Sequence, residues 1–91
     1  MTNHIDNSDT IKSFIIEEFL PDVEPAALAV DYDLLANGVI DSLGLLKLIA
    51  WIEDRFSAPI ADDDLDPDNF RSVTAIDTFV ARVTATAVAG S

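Results

Sequence analysis

Ser42 is the residue of this sequence whose type and surroundings most suggest chemistry. It lies in Asp41-Ser42-Leu43-Gly44, a segment superficially similar to the nucleophile elbow of serine hydrolases. However, the glycine two residues before the serine is missing, and no strand pattern precedes it. His4 is the one histidine of the chain, and in a polar N-terminal stretch nothing would orient it as a general base. These observations exclude a Ser-His-Asp hydrolase.

An acidic run begins at Asp62 and invites comparison with a calcium site. An EF-hand loop needs a glycine at its sixth position and a carboxylate at its twelfth. A loop beginning at Asp62 would have Pro67 and Val73 there, and a loop beginning at Asp64 fails in the same way. We therefore expect no dedicated metal site, and we interpret the run as a solvated acidic face that begins a short helix.

The spacing of apolar side chains predicts the helices that would position Ser42. Asp41 is a good N-cap for the second helix, because its carboxylate can accept a hydrogen bond from the first turn. Pro21 forbids continuation of the first helix, and Asp66-Pro67 predicts a short helix ending near Phe70. The three main helices are expected at residues 10–20, 42–56 and 73–83, where apolar residues recur at spacings of three and four.

The connection between the first two helices, residues 21–40, is long and too apolar for a solvated linker. Within it, Pro25 suits a short helical piece, and Asn37-Gly38 is a turn signal that favours a positive φ. We therefore predict an all-α fold: a small helical bundle of three main helices plus one short helix, with a long ordered loop between the first and second. Residues 1–9 are expected to form a flexible lead-in, 10–83 a single domain and 84–91 a frayed C-terminus.

The second helix is apolar over more of its circumference than one core contact needs. At about 100° per residue, one set of side chains has the spacing of a core face. A second stripe begins beside Ser42. Its residues either pack beneath the long loop or form a surface on which partner proteins dock, and both interpretations stay open. The core face comprises Leu45, Leu48, Ile49, Ile52 and Phe56, and the second stripe comprises Leu43, Leu46 and Ala50.

Composition limits the classes of function. A chain of 91 residues has room for one domain, and its 49% hydrophobic content separates it from disordered acidic tails. With 17 acidic and 5 basic residues, the net charge of −12 repels nucleic acid and anionic lipid and favours basic protein surfaces as partners. There is no cysteine, so thiol chemistry requires an added group. We expect a soluble, cytoplasmic monomer that binds neither nucleic acid nor membrane.

Residues 38–43, Gly-Val-Ile-Asp-Ser-Leu, resemble the attachment site of acyl and peptidyl carrier proteins, in which an Asp-Ser-Leu triplet opens the second helix. Residues 51–56, an acidic stretch closed by a phenylalanine, are similar to the end of that helix. Residues 69–73 are similar to the segment before the last helix of the family. The likeness extends over about residues 11–83, in the right order and at the right length.

The resemblance implies that 4'-phosphopantetheine is attached to Ser42, within the triplet that Asp41 and Leu43 complete. The thiol of this arm would hold an acyl or aminoacyl group as a thioester, so the protein would be a carrier and not an enzyme. The implied partners are a phosphopantetheinyl transferase, a loading enzyme, which is an adenylating ligase or an acyltransferase, and downstream synthases or transferases. The physical chemistry agrees, because a phosphodiester is an anion and the N-terminus of a helix favours anions.

The second stripe and Lys47 form the expected docking surface, in which the resemblance implies a partner contact for Leu43. The other members are Leu46 and Ala50. Carriers of primary fatty-acid synthesis tend to have acidic residues at the two positions held here by Gly44 and Lys47. A positive charge there should weaken or reorient docking to partners that read an acidic helix. We therefore favour a discrete carrier of a specialised pathway, polyketide or nonribosomal peptide in type.

Two other functions compete with the carrier interpretation. A small acidic helical interaction module or inhibitor without a cofactor would never be modified on Ser42. A small hydrolase using Ser42 would need an oriented base, which the sequence does not offer.

Overall fold

The computed structural model describes residues 7–58 and 60–89, with side chains described through Thr84. The helices are α1 (Ser8–Phe19), α2 (Ser42–Phe56) and α3 (Val73–Ala89), joined by segments that contain the short 3₁₀ turns Pro25–Ala27, Asp62–Asp64 and Pro67–Phe70. Within the described ranges there is no strand. The protein is thus the all-α, three-helix bundle that the sequence predicts. The 3₁₀ turn at Asp62–Asp64 is an addition that the spacing of apolar residues did not indicate.

The outer ends of α1 and α3 differ from the prediction. α1 begins at Ser8, inside the expected lead-in of residues 1–9, because the Asn7 backbone N–H donates to Asp77 Oδ1 at 3.0 Å and ties this end to α3. α3 continues to Ala89, through most of the expected frayed end at 84–91. Its last turns are rich in alanine, the best helix former, and contain no proline or glycine. The expectations for His4 and Pro59 lie outside the described residues.

Each of the three helices contributes one apolar face to the core. These faces have the three-four spacing that the sequence shows, and the rings of Phe70 and Phe79 meet edge to face at 5.0 Å between centroids. No side chain with a net charge is buried among the described residues. The fully buried members include Ile11 and Ile15 of α1, Leu48 and Ile52 of α2, and Ile76, Phe79 and Val80 of α3.

The connection between α1 and α2 is ordered, as predicted, because the bundle buries it at intervals. Leu28, Leu34 and Ile40 belong to the core although none of them lies in an α-helix. The Leu34 backbone N–H donates to the carbonyl of Arg71 at 2.7 Å, and the Val39 and Ile40 N–H groups both donate to the Leu34 carbonyl. A second bond, from the Thr74 N–H to the Val30 carbonyl at 2.9 Å, joins the connection to α3.

Arg71 adds a side-chain clamp on the same connection. Its Nη1 donates to Asp33 Oδ2 at 3.0 Å, and its Nε and Nη2 donate to Asp68 Oδ1 at 3.1 and 2.7 Å. The other oxygen of Asp33 accepts hydrogen bonds from the backbone N–H groups of Leu35 and Ala36, at 3.1 and 2.8 Å. One guanidinium group thus holds the connection against the segment that leads into α3.

Candidate functional site

The N-terminus of α2 is the place where the sequence predicted a site. Asp41 has an extended backbone, and its Oδ1 accepts a hydrogen bond from the Gly44 N–H at 2.8 Å, so it is the N-cap of α2 as predicted. Its carbonyl accepts the first intrahelical bond, from the Leu45 N–H at 2.8 Å. Ser42 is therefore the first residue of the helix, and it is exposed.

The segment before Asp41 explains why the cap of α2 is exposed to solvent. Ile40 is buried in the core, and the turn before it uses Gly38 with a φ of +75°, the positive value that Asn37-Gly38 favours. Because Ile40 points inward, the residues that follow must leave the core to start α2. Asp41 and Ser42 are consequently both exposed beside the first turn.

The electrostatics of this end suit an anionic ester. The first N–H groups of an α-helix have no acceptor within the helix, and the helix dipole adds partial positive charge there. The Asp41 carboxylate accepts from the Gly44 N–H, which leaves the N–H groups of Ser42 and Leu43 for a ligand. An exposed hydroxyl in this position can bear a phosphodiester, and the residues present therefore fit a phosphate-linked group.

The second stripe of α2 lies on the surface and not beneath the connection. Leu43 is 75% exposed and Leu46 is 63% exposed, and Ala50 is exposed one turn further on. Lys47 lies on the same side, one turn after Leu43. Together these four residues form what we call the exposed α2 stripe, which runs away from Ser42 along the helix. An apolar surface of this kind next to a helix N-terminus is typical of a protein-binding site.

Two contacts beside the stripe were not predicted. The Lys47 Nζ donates to Glu18 Oε1 at 3.1 Å, and the ring of Phe19 lies against the α-carbon side of Gly44. Both partners are at the end of α1, 25 or more positions away in sequence. No local sequence pattern identifies such pairs. The one relevant signal was that Gly44 stands where carriers of fatty-acid synthesis tend to have an acidic residue.

The acidic segment is engaged in local structure. Asp66 Oδ1 caps the third 3₁₀ turn by accepting from the Asp68 N–H at 2.9 Å, and Asp68 is bound by Arg71. Asp64 lies 3.8 Å from Arg82 of α3. Among residues 7–58 and 60–89, no group of three or more His, Cys, Asp or Glu residues is arranged to hold a metal ion. No helix in this part of the chain is long and apolar enough to cross a membrane.

One carboxyl group outside the α2 terminus has a shifted pKa. The hydrogen bond from the Ala36 N–H, together with the Arg71 guanidinium, lowers the pKa of Asp33 below its ordinary value of 3.8, against a smaller opposing effect of desolvation. The hydrogen bonds that Arg71 donates to Asp68 and to Asp33 raise the pKa of Arg71. The two shifts reflect how the connection is held at Asp33, away from the Asp41 cap.

Comparison with known proteins gives matches that contain this site. The family model described as "Phosphopantetheine attachment site" matches residues 14–76, more than half of the chain. The chain is similar to two D-alanyl carrier proteins of Streptococcus suis: that of strain 98HAH33 is 32% identical over 72 residues, and that of strain 05ZYH33 is 31% identical over 72 residues. Each alignment covers 79% of this chain and 87% of the relative.

Proposed function

The chain belongs to the family of phosphopantetheine-bearing carrier proteins, and from this we propose that Ser42 is its attachment residue and that an aminoacyl thioester is its cargo. As a carrier it has no catalytic activity of its own, and its cofactor is covalently attached 4'-phosphopantetheine. A carrier works with a phosphopantetheinyl transferase, a loading enzyme and downstream enzymes. The two parts of the proposal, Ser42 as the attachment residue and an amino acid as the cargo, are tested by separate experiments below.

The observation that carries the assignment of Ser42 is its position among the serines of the matched range. That range contains Ser42, Ser57 and Ser72. Ser57 follows the C-terminus of α2, where the helix dipole is negative and disfavours a phosphodiester. The Ser72 hydroxyl is half-buried and accepts a hydrogen bond from the Ala75 N–H at 3.1 Å, so it is used as a cap. Ser42 alone among the three combines an exposed hydroxyl with a helix N-terminus.

The proposed modification is a phosphoryl-type transfer from coenzyme A to the exposed Ser42 hydroxyl. The Ser42 hydroxyl attacks the phosphorus atom that bears the pantetheine unit of coenzyme A. A bond forms between Oγ and phosphorus, the phosphoanhydride bond breaks, 3',5'-ADP leaves, and the hydroxyl proton passes to a base of the transferase. Asp41 contributes by capping α2, which fixes the first turn and leaves the nearby N–H groups for the new phosphodiester.

The attached group supplies a thiol on a flexible arm, and that thiol holds the cargo as a thioester. Because the chain has no cysteine, no side-chain thiol competes for the cargo. Tethering raises the effective concentration of the cargo at each partner, and the exposed α2 stripe offers the docking surface that partners would share. We place the carrier in a specialised pathway and not in primary fatty-acid synthesis, since Gly44 and Lys47 depart from the acidic pattern of fatty-acid carriers.

The names of the relatives favour an amino acid over a polyketide acyl group as cargo. Both are carriers of D-alanine by name, and both align over most of their length with this chain. An amino acid reaches a carrier thiol through an adenylating ligase, which activates the carboxylate with ATP before transfer. We therefore propose an adenylating ligase as the loading enzyme of this chain.

The test of the attachment residue is intact-mass measurement. The purified protein is incubated with coenzyme A, magnesium and a broad-specificity phosphopantetheinyl transferase, alongside Ser42→Ala and the matched control Ser13→Ala. Ser13 is an exposed serine of α1, away from the site. Wild type and Ser13→Ala should each gain one phosphopantetheine unit, and Ser42→Ala should gain none. An interaction module without a cofactor would leave all three masses unchanged, and this result would overturn the proposal.

The test of the cargo uses the holo protein from that experiment. It is incubated with ATP and D-alanine in the presence of a D-alanine-activating ligase, and in parallel with malonyl-coenzyme A and a malonyltransferase. We expect a D-alanyl thioester that hydroxylamine releases. Exclusive loading with malonate would overturn the aminoacyl cargo and leave the carrier function standing.

A further inference from the structure

The end of α1 lies across the first turn of α2 and occupies the space that a side chain at Gly44 would need. A Cβ placed on Gly44 would lie 2.7 Å from Phe19 Cε1 and 3.3 Å from Phe19 Cζ. Real Cβ atoms essentially never approach a ring carbon so closely, so any other residue at this position requires the ring of Phe19 to move. Gly44 is buried even though its neighbour Leu43 is among the most exposed residues of the helix.

The conformation of Gly44 does not explain the glycine. Its φ is not in the positive range that favours glycine, and glycine is among the least favourable residues in the body of a helix. The reason is therefore steric. Alanine at this position would favour the helix by propensity, but its methyl group would collide with the ring.

The same point in space also lies next to the cap of α2. A Cβ on Gly44 would be 3.2 Å from Asp41 Oδ1, the oxygen that accepts the Gly44 N–H. The edge of the Phe19 ring and the cap carboxylate thus converge on one glycine. Ser42 lies between Asp41 and Gly44 in the chain. The Phe19 ring at Gly44 and the hydrogen bond from the Gly44 N–H to Asp41 therefore hold the chain on both sides of it.

Other contacts hold the Phe19 ring in place. It meets Phe14 edge to face with centroids 6.2 Å apart, and Phe14 stacks on Trp51 of α2 at 4.3 Å. Glu18, the neighbour of Phe19, is bound by Lys47 at 3.1 Å. The Phe14 ring thus borders the Phe19 ring, and the backbone on either side of Phe19 is held near α2 through Phe14 and Glu18.

We propose that Phe19 and Gly44 are positioning residues, whose contact holds the Asp41–Ser42 turn in the orientation that phosphopantetheinyl transfer requires. The inference rests on the proposed function of Ser42 and extends it to a residue of α1. Neither residue touches the reacting atoms. Their contact acts by fixing the position of the first turn of α2, which contains Ser42. A displacement of about 1 Å at a reacting group can lower a rate by up to about a hundredfold, so a small shift of this turn has a measurable consequence.

The experiment measures kcat and KM of phosphopantetheinyl transfer for wild type, Gly44→Ala, Phe19→Leu and the double variant Phe19→Leu/Gly44→Ala. Ser13→Ala is the control, and the thermal stability of each protein is recorded. We expect Gly44→Ala to lower kcat about tenfold with a smaller change in KM, because the first turn is displaced while Leu46, Lys47 and Ala50 of the exposed α2 stripe remain. The double variant should recover kcat to within about twofold of wild type, since the shorter side chain makes room for the methyl group.

The outcomes separate this inference from the function on which it rests. If wild type and Ser13→Ala are not modified, the assignment of Ser42 fails. If they are modified and Gly44→Ala is equally fast, or if the folded double variant is as slow as Gly44→Ala, the positioning role is wrong. If Gly44→Ala does not fold, the double variant decides: it must fold and be modified at near the wild-type kcat, and failure in either respect overturns the steric explanation.

Discussion

The two faces of α2 have similar side chains and opposite environments. Leu48 is fully buried in the core, whereas Leu46, two positions earlier, is 63% exposed. Both are leucines in the body of the same helix, and what separates them is their position around its circumference. The difference teaches that α2 has more apolar surface than folding uses, and that the surplus begins at the residue after Ser42.

The surplus has a cost for a protein that is not bound to anything. An exposed leucine gains no burial energy and adds to the risk of association, so a stripe of them is typical of a surface that partners cover. The net charge of −12 reduces that risk and at the same time attracts partners with basic surfaces. The buried face therefore provides stability, and the exposed face provides recognition.

The largest expected effect is on stability, and it should distinguish the buried face of α2 from the exposed one. Leu48→Ala should lower the free energy of unfolding by about 2–5 kcal/mol, because it leaves a cavity in the core. Leu46→Ala is the matched variant on the other face and should change it by less than about 0.5 kcal/mol. Urea unfolding followed by circular dichroism measures both. Equal losses for the two variants would show that the exposed α2 stripe is covered in solution.

The next effect concerns binding and not folding. Leu43→Ala should raise the KM of phosphopantetheinyl transfer about tenfold, since truncating a residue that anchors the centre of an interface costs more than about 1 kcal/mol. The kcat and the melting temperature should be unchanged, because Leu43 makes no core contact. Steady-state kinetics at several concentrations of carrier separate KM from kcat. A fall in kcat at constant KM would place Leu43 in positioning Ser42, contrary to a docking role.

A smaller effect on stability is expected at Asp41, the cap of α2. Asp41→Ala should destabilise the protein by about 1 kcal/mol, because the Gly44 N–H loses its acceptor. Asp41→Asn keeps an oxygen acceptor of the same size and should lie within a few tenths of a kcal/mol of wild type. Thermal unfolding compares the two variants. If alanine and asparagine are equally tolerated, the cap does not determine where α2 starts.

The smallest effect concerns the connection that delivers the chain to the cap, and it depends on pH. The pKa of Asp33 is lowered in the folded protein, so its ionised form stabilises the fold above 3.8, and this contribution is lost as the pH falls through the lower folded-state value. Asp33→Asn should therefore show a shallower loss of stability with acid over that window. Asp31→Asn, an exposed neighbour, is the control for the change of net charge. Parallel acid limbs for Asp33→Asn and wild type would contradict the role of the clamp.

Much of the fold followed from local patterns. The spacing of apolar residues located α2 and the inner ends of α1 and α3, and Pro21, Asp41 and Asn37-Gly38 marked boundaries and a turn that the structure contains. The outer ends of α1 and α3 lie beyond the bounds that the spacing indicated. At Ser8 the decisive contact is a hydrogen bond from the neighbouring Asn7 to Asp77, 70 positions away, which no local rule detects. At Ala89 helix propensity continued past the last core residue.

The candidate site divides in the same way. The sequence by itself determined the helix start at Ser42, the cap at Asp41 and the presence of a second apolar stripe, because caps and periodicity depend on residues within one turn of each other. Only the tertiary structure decided that this stripe is exposed, that Phe19 fills the space at Gly44 and that Arg71 clamps Asp33. These are contacts between elements, and they depend on how helices are placed against one another to bury a shared core, which local preference does not specify.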